Sequence, residues 1–94
     1  MLTKVIQLSE RVGFHARPAG QVAVAARKYR SMITLQSDEW MADAKSALSV
    51  MRLGFPPGGR VEIISDGADE AEALEALEQV IRSVEPVQIY SEYE

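Results

Sequence analysis

Cysteine is absent from this chain of 94 residues, histidine occurs once, and aromatic residues make up only 6% of it. Without cysteine the chain has neither a disulfide framework nor a cysteine-rich zinc site, and a single histidine excludes a histidine metal cluster. No stretch approaches the roughly 20 consecutive apolar residues of a membrane-spanning helix, and the N-terminus has no apolar run of signal-peptide length. We therefore expect no metal, no membrane association and a cytoplasmic location.

Motifs for independent catalysis are also missing from the sequence. It has no paired carboxylates, no catalytic triad and no glycine-rich nucleotide loop, so we expect no cofactor and no turnover of its own. Ninety-four residues fit one domain with a modest core, residues 1–94.

Charge is unevenly distributed along the chain. Residues 1–60 carry nine Lys and Arg against four Asp and Glu, a net charge of +5, whereas residues 61–94 carry one against ten, a net charge of -9. The overall charge of -4 disfavours nucleic acid as a partner, and the basic first part suits acidic protein surfaces. Any one of these cations could equally be a solvated side chain; the candidates for docking are Arg11, Arg17, Arg27, Lys45 and Arg52.

The segment Gly-Phe-His-Ala-Arg-Pro-Ala-Gly at residues 13–20 holds the only histidine. His15 stands where a helix N-cap is expected, and Pro18 suits the first helical turn, since its φ is already helical and its missing N–H is no loss there. The imidazole would then lie beside the free N–H groups of Ala16 and Arg17, at the positive end of the helix dipole. These features predict a phosphate-binding position.

The same surroundings bear on the chemistry of His15. A positive neighbourhood disfavours imidazolium, and the neutral ring that remains is a nucleophile. A phosphoryl group on the ring could accept hydrogen bonds from the helix amides and a charge-assisted bond from Arg17. A simple helix cap or a surface histidine remains the alternative interpretation of these residues.

Hydrophobic periodicity predicts strands at residues 2–8, 32–35, 40–43 and 60–63, and helices at residues 16–27, 47–53 and 70–84. Gly54 should end the second helix and Pro86 should follow the third, with a loop at residues 55–59. This order of elements predicts a two-layer α/β (α+β) domain with helices on one face of an antiparallel sheet. The predicted inward side chains are Leu2, Ile6, Leu8, Ala19, Val22, Ala23, Ala26, Ile33, Leu35, Val61, Ile63, Leu74, Leu77, Ile81 and Val84, while Leu48, Met51 and Leu53 lie on adjoining faces of the second helix.

The sequence resembles HPr, the histidine phosphocarrier family of the bacterial phosphoenolpyruvate-dependent phosphotransferase system. The resemblance lies in four short segments and in their separations: Gly13–Ala19, Lys45-Ser46, Leu53-Gly54 and Asp69-Glu70. The resemblance runs from about residue 2 to residue 84 and leaves residues 85–94 as a C-terminal extension. It implies an open-faced sandwich of four strands in the order 1-4-2-3.

The resemblance also implies functional roles. His15 would accept a phosphoryl group at Nδ1 from phospho-Enzyme I and pass it to Enzyme IIA domains for sugar uptake. Arg17 and the amide of Ala16 would stabilise the phosphoryl group. Residues after position 46 would dock partners, although Ala47 and Leu48 stand where the family often has isoleucine and methionine. The implied docking residues are Ala47, Leu48, Met51, Arg27, Lys45 and Arg52.

Ser46 has two interpretations. A hydroxyl at a predicted helix start beside Lys45 is an ordinary N-cap, and a phosphate there would be favoured by the helix dipole and the cation. The resemblance implies regulatory phosphorylation by an HPr kinase/phosphorylase and docking to a transcriptional regulator.

Two other functions stay open from the sequence alone. One is an HPr-like carrier in a nitrogen-related or dihydroxyacetone-kinase phosphorelay. The other is a non-catalytic module that binds an anionic ligand through His15 and Arg17. A monomer is expected, because a carrier must expose one site to several partners, and residues 87–94 could be a short strand or a loose tail.

Overall fold

The structure is a computed structural model that describes residues 1–7, 16–38, 40–53 and 59–83, with only the backbone described at residues 16–18. Its strands and helices follow one another in the predicted order. They are β1 (Leu2–Gln7), α1 (Ala16–Ala26), β2 (Met32–Ser37), β3 (Trp40–Asp43), α2 (Ala47–Leu53), β4 (Arg60–Asp66) and α3 (Glu70–Ser83). The predictions at Leu8, Gly54, residues 55–58 and residues 84–94 lie outside the described residues.

The strands form one antiparallel sheet in the order β1-β4-β2-β3, which confirms the predicted topology. β4 is central and pairs on both sides, with Ile63 opposite Lys4 of β1 and opposite Leu35 of β2. It continues three residues beyond the predicted Ile63. The hydrophobic pattern does not predict this extension, because Ser65 is polar. Ser65 nevertheless pairs with Leu2 on one side and Ile33 on the other and is fully buried.

The core lies between the sheet and the helices that cover one of its faces. In β2 and β4 buried and partly exposed side chains alternate, as expected for strands with one covered face. The predicted small residues of α1 are at most 1% exposed, and their size lets the helix lie close to the sheet. The larger core residues are Ile6, Val22, Ile33, Leu35, Val50, Val61, Ile63, Leu77 and Ile81.

Three details differ from the predicted burial pattern. Leu2 shares a face with Ile6 but is 39% exposed, because it lies near the end of an edge strand. In α2, Val50 is buried although the sequence analysis did not single it out, and it packs with Leu53. In α3 the buried stripe includes Ala73, while Leu74 is only partly buried against the core.

Asp69 joins the start of α3 to the connection between α1 and β2. Its carboxylate accepts hydrogen bonds from the Arg30 N–H at 2.9 Å, the Ser31 N–H at 2.9 Å and the Ser31 hydroxyl. The Ser31 hydroxyl, followed by the Arg30 N–H, lowers the pKa of Asp69 from 3.8 to about 2. The charged carboxylate therefore fixes how α3 begins relative to β2.

Gly67 makes this junction compact. Its φ of +153° is one that residues with a side chain rarely adopt, and a Cβ there would lie 2.7 Å from the Ser31 Cα. The Gly67 N–H donates to Glu70 at 3.1 Å and is the main cause of the lowered pKa of Glu70. The turn therefore needs glycine.

None of the helices in the described ranges is long and apolar enough to cross a membrane.

Candidate functional site

The start of α1 lies where the sequence analysis places it. The helix begins at Ala16, directly after His15, so Ala16 and Arg17 stand in its first turn. A helix leaves its first backbone N–H groups without intrahelical acceptors, and these groups form the positive end of its dipole. The N–H groups predicted to bind a phosphoryl group therefore belong to the first turn of α1, which contains no acidic residue.

His15 itself lies outside the described residues, as does the Arg17 side chain. The roles of His15, Arg17 and the Ala16 amide therefore stay predictions. The described backbone fixes one element of the proposed site, the helix that starts at residue 16.

Ser46 caps α2. Its hydroxyl accepts a hydrogen bond from the Ser49 N–H at 3.2 Å, and its carbonyl accepts the helical bond from the Val50 N–H at 3.0 Å. This is N-cap geometry, in which a side-chain oxygen satisfies a free donor of the first turn. Ser46 is half-buried, so its structural role is established by these contacts and its regulatory role stays a prediction.

Asp43 connects the end of β3 to this cap. Its side chain accepts from the Lys45 N–H at 3.0 Å, and its carbonyl accepts from the Ser46 N–H at 3.0 Å. The Asp43 N–H in turn donates to the Ser49 hydroxyl at 3.1 Å. Residues 43–49 therefore form one hydrogen-bonded turn, which sets the direction in which α2 leaves the sheet.

Two cations connect this turn to the end of α1. The Lys45 ammonium donates to the Tyr29 carbonyl at 2.8 Å, and the Arg27 Nε donates to the Lys45 carbonyl at 2.8 Å. Residues 27–29 continue the turn of α1 beyond Ala26, so the Tyr29 carbonyl lies at the negative end of that helix. From the sequence, Arg27 was expected as a docking cation and Lys45 as a docking cation and a neighbour of Ser46, and neither of these bonds was predicted.

Of the other predicted docking residues, Arg11 and the Arg17 side chain lie outside the described residues, and the rest lie on α2. Leu48 and Met51 are large apolar side chains that are 57% and 42% exposed, and Ala47 is half-buried. Arg52 is exposed in the last turn of the helix. The structure thus places an apolar pair and a cation at the surface of one short helix; their contact with a partner stays a prediction.

One exposed residue of α1 escaped the sequence analysis. Val24 is 58% exposed, although valine on a small-residue helix would usually be assigned to the core. Helical spacing would have predicted this exposure. Residues 22, 23 and 26 are buried on one side of the helix, and Val24 lies on the opposite side.

No group of three or more His, Asp or Glu side chains that could hold a metal ion occurs within the described ranges.

Comparisons with known proteins agree with this geometry. The sequence profile of a family described as "PTS HPr component phosphorylation site" matches residues 2–83. Phosphocarrier protein HPr of Treponema pallidum (strain Nichols) is 35% identical over 83 residues, which cover 88% of this chain and 94% of that protein.

Solved structures show the same fold. The histidine-containing phosphocarrier protein of a Mycoplasma superposes with a TM-score of 0.85 at 31% identity and covers 93% of this chain and 99% of its own. Bacillus subtilis Crh, described as a domain-swapped dimer, has a TM-score of 0.71 at 32% identity and covers 83% of this chain and 85% of its own.

The sheet order and the helices on one face define an open-faced α/β sandwich. The profile match and the identity to curated phosphocarriers go further: this chain belongs to the HPr family of phosphotransferase-system phosphocarriers.

Proposed function

We propose that this protein accepts a phosphoryl group from phospho-Enzyme I on His15 and passes it to Enzyme IIA domains. The observation that carries the proposal is the start of α1 at Ala16, one residue after the only histidine, in a chain of the HPr family. The proposal includes a cytoplasmic location and a single HPr-like domain at residues 1–94, with its core at residues 2–84 and a C-terminal extension at residues 85–94.

The chemistry needs few parts. A neutral nitrogen of His15 attacks the phosphorus atom, and a P–N bond to the ring forms as the bond between phosphorus and the donor side chain breaks. In the second transfer a nucleophile of the next protein attacks the same phosphorus, and the His15 ring leaves as neutral imidazole. Phosphoryl transfer depends mainly on positioning and on stabilising the charge of the equatorial oxygens. The N–H groups of Ala16 and Arg17 at the helix N-terminus supply donors for those oxygens, and the Arg17 guanidinium would supply positive charge.

The partner surface is proposed to lie on α2. Leu48 and Met51 offer exposed apolar area, and Arg52 offers an exposed cation. Interfaces of this kind combine an apolar centre with a polar rim, and the charges set the rate of encounter with an acidic partner. Enzyme I and Enzyme IIA domains would use the same surface in turn, which suits a monomeric carrier.

The test uses purified protein, Enzyme I and phosphoenolpyruvate, followed by intact-mass spectrometry. We expect one phosphoryl group per chain that is lost in acid and absent from a His15→Ala variant. A variant that still gains the group would overturn the assignment to His15. A wild-type protein that gains none would favour the anion-binding module.

Regulation at Ser46 is a second part of the proposal. A phosphate there would replace a neutral cap by a dianion at the start of α2, the helix that carries Leu48 and Met51, and would change the charge of the docking surface. Transfer at His15 should then slow, and a transcriptional regulator could bind. Incubation with ATP and an HPr kinase/phosphorylase tests this; absence of modification at Ser46 would contradict it.

A further inference from the structure

The position of α2 depends strongly on contacts at its ends. The helix has seven residues, and isolated helices of that length are not stable in water. Val50 and Leu53 anchor its buried side, and the freedom of the helix to rotate about its axis is limited by the contacts at its ends. The exposed pair Leu48 and Met51 would move with it.

The cross-link at its start removes that freedom. Lys45 donates through its side chain to the Tyr29 carbonyl and accepts through its own carbonyl from Arg27, both at 2.8 Å. In one bond the donor belongs to the turn before α2, and in the other the donor belongs to the end of α1. Together the two bonds fix the distance between that turn and α1 and restrict their relative orientation. Each involves a charged donor, which makes it stronger than a neutral hydrogen bond.

The cations of this surface therefore differ in their surroundings. The Lys45 side chain is half-buried and its ammonium is bound to a backbone carbonyl. Arg52 is exposed, and its side chain makes no hydrogen bond or ion pair with another residue of the described ranges. An ammonium held in this way is a poor contact for a partner, because contact would first require the bond to Tyr29 to break.

We propose that Lys45 and Arg27 are positioning residues, which clamp the start of α2 to the end of α1 and so hold Leu48 and Met51 in place for docking, whereas Arg52 is the cation that meets the partner. This inference rests on the proposed function, since docking is read out through phosphoryl transfer.

The two roles predict different salt dependences. An exposed docking cation acts through screened Coulomb attraction, so its loss flattens the dependence of KM on ionic strength. A positioning residue acts through the orientation of α2 as well as through its charge, so its loss raises KM even at high ionic strength, where screening removes the Coulomb part.

The experiment compares Lys45→Met, Lys45→Arg and Arg52→Met in the full chain. For Lys45→Met we expect a KM for Enzyme I about fivefold higher that persists at high ionic strength, with kcat unchanged. We also expect amide exchange of Ser49 and Val50 about tenfold faster, as loss of a charge-assisted hydrogen bond implies. Lys45→Arg keeps a donor and should restore both values. Arg52→Met should flatten the salt slope and leave amide exchange unchanged.

Three results would overturn the inference: a KM increase in Lys45→Met that vanishes at high ionic strength with unchanged exchange, faster exchange with an unchanged KM, or no effect on either. Amide exchange needs no Enzyme I. If the wild-type protein accepts no phosphoryl group, the proposed function fails, while the exchange of Ser49 and Val50 still shows whether the clamp holds α2.

Discussion

Replacing Ser46 should separate its role as a helix cap from its proposed role in regulation. Its hydroxyl accepts from the Ser49 N–H at 3.2 Å at the start of a helix of only seven residues. Ser46→Ala removes that acceptor and should cost about 1 kcal/mol of unfolding free energy. For a domain of this size the melting temperature should fall by about 4–8 °C.

Ser46→Asp should behave differently, because aspartate is as good an N-cap as serine and its charge is favoured by the helix dipole. We expect a melting temperature close to that of the wild type together with slower transfer from phospho-Enzyme I. The defect would then arise from charge on the docking surface and not from unfolding.

The assay is thermal unfolding followed by circular dichroism, with Ser83→Ala as the matched control. The Ser83 hydroxyl is exposed at the end of α3 and donates to the Val80 carbonyl of its own helix, so its loss should change stability by less than about 0.5 kcal/mol. Equal melting of Ser46→Ala and wild type, or a Ser46→Asp variant as unstable as Ser46→Ala, would refute the capping argument.

Other predictions concern the turn before α3 and the long helix α1. Gly67→Ala should destabilise the protein by about 3 kcal/mol in denaturant unfolding, because its φ is +153° and the new Cβ would meet Ser31 at 2.7 Å. Gly20→Ala, which meets nothing within 4 Å, should instead stabilise by about 0.5–1 kcal/mol, and destabilisation there would count against the helix geometry. Because the pKa of Asp69 is lowered from 3.8 to about 2, its stabilisation is present above 3.8 and is lost as pH falls towards 2. The difference in unfolding free energy between wild type and Asp69→Asn should shrink over that range, and a constant difference would contradict the cause assigned to the shift.

The strands and long helices were predictable because their periodicities are local. Ile33 and Leu35 alternate with more polar neighbours, and small residues recur at helical spacing in α1, so the pattern alone identifies the buried face. The strand order 1-4-2-3 came from the family resemblance, since pairing between distant strands leaves no local periodicity.

Burial within α2 was not predictable in the same way. Leu48, Val50, Met51 and Leu53 are all apolar, and periodicity over seven residues cannot decide which of them faces inward. The helix position against α1 and the sheet decides it, and the outcome is that Val50 and Leu53 are buried.

Polar contacts between distant residues were also beyond sequence reasoning. Lys45 and Tyr29 are 16 residues apart, and Asp69 and Ser31 are 38 apart. A lysine or aspartate in a turn is usually solvated, so nothing in the local pattern marks these two as bound to backbone or hydroxyl groups. His15 remains a prediction from the motif and the family.

Transfer of the phosphoryl group to a second protein tests the carrier function most directly. Phosphorylated protein is separated from Enzyme I and phosphoenolpyruvate, then mixed with an Enzyme IIA domain, and the phosphoryl content of both chains is followed by mass spectrometry. We expect the loss from this protein to equal the gain by Enzyme IIA. Loss of the group only as inorganic phosphate, with none on Enzyme IIA, would contradict the account.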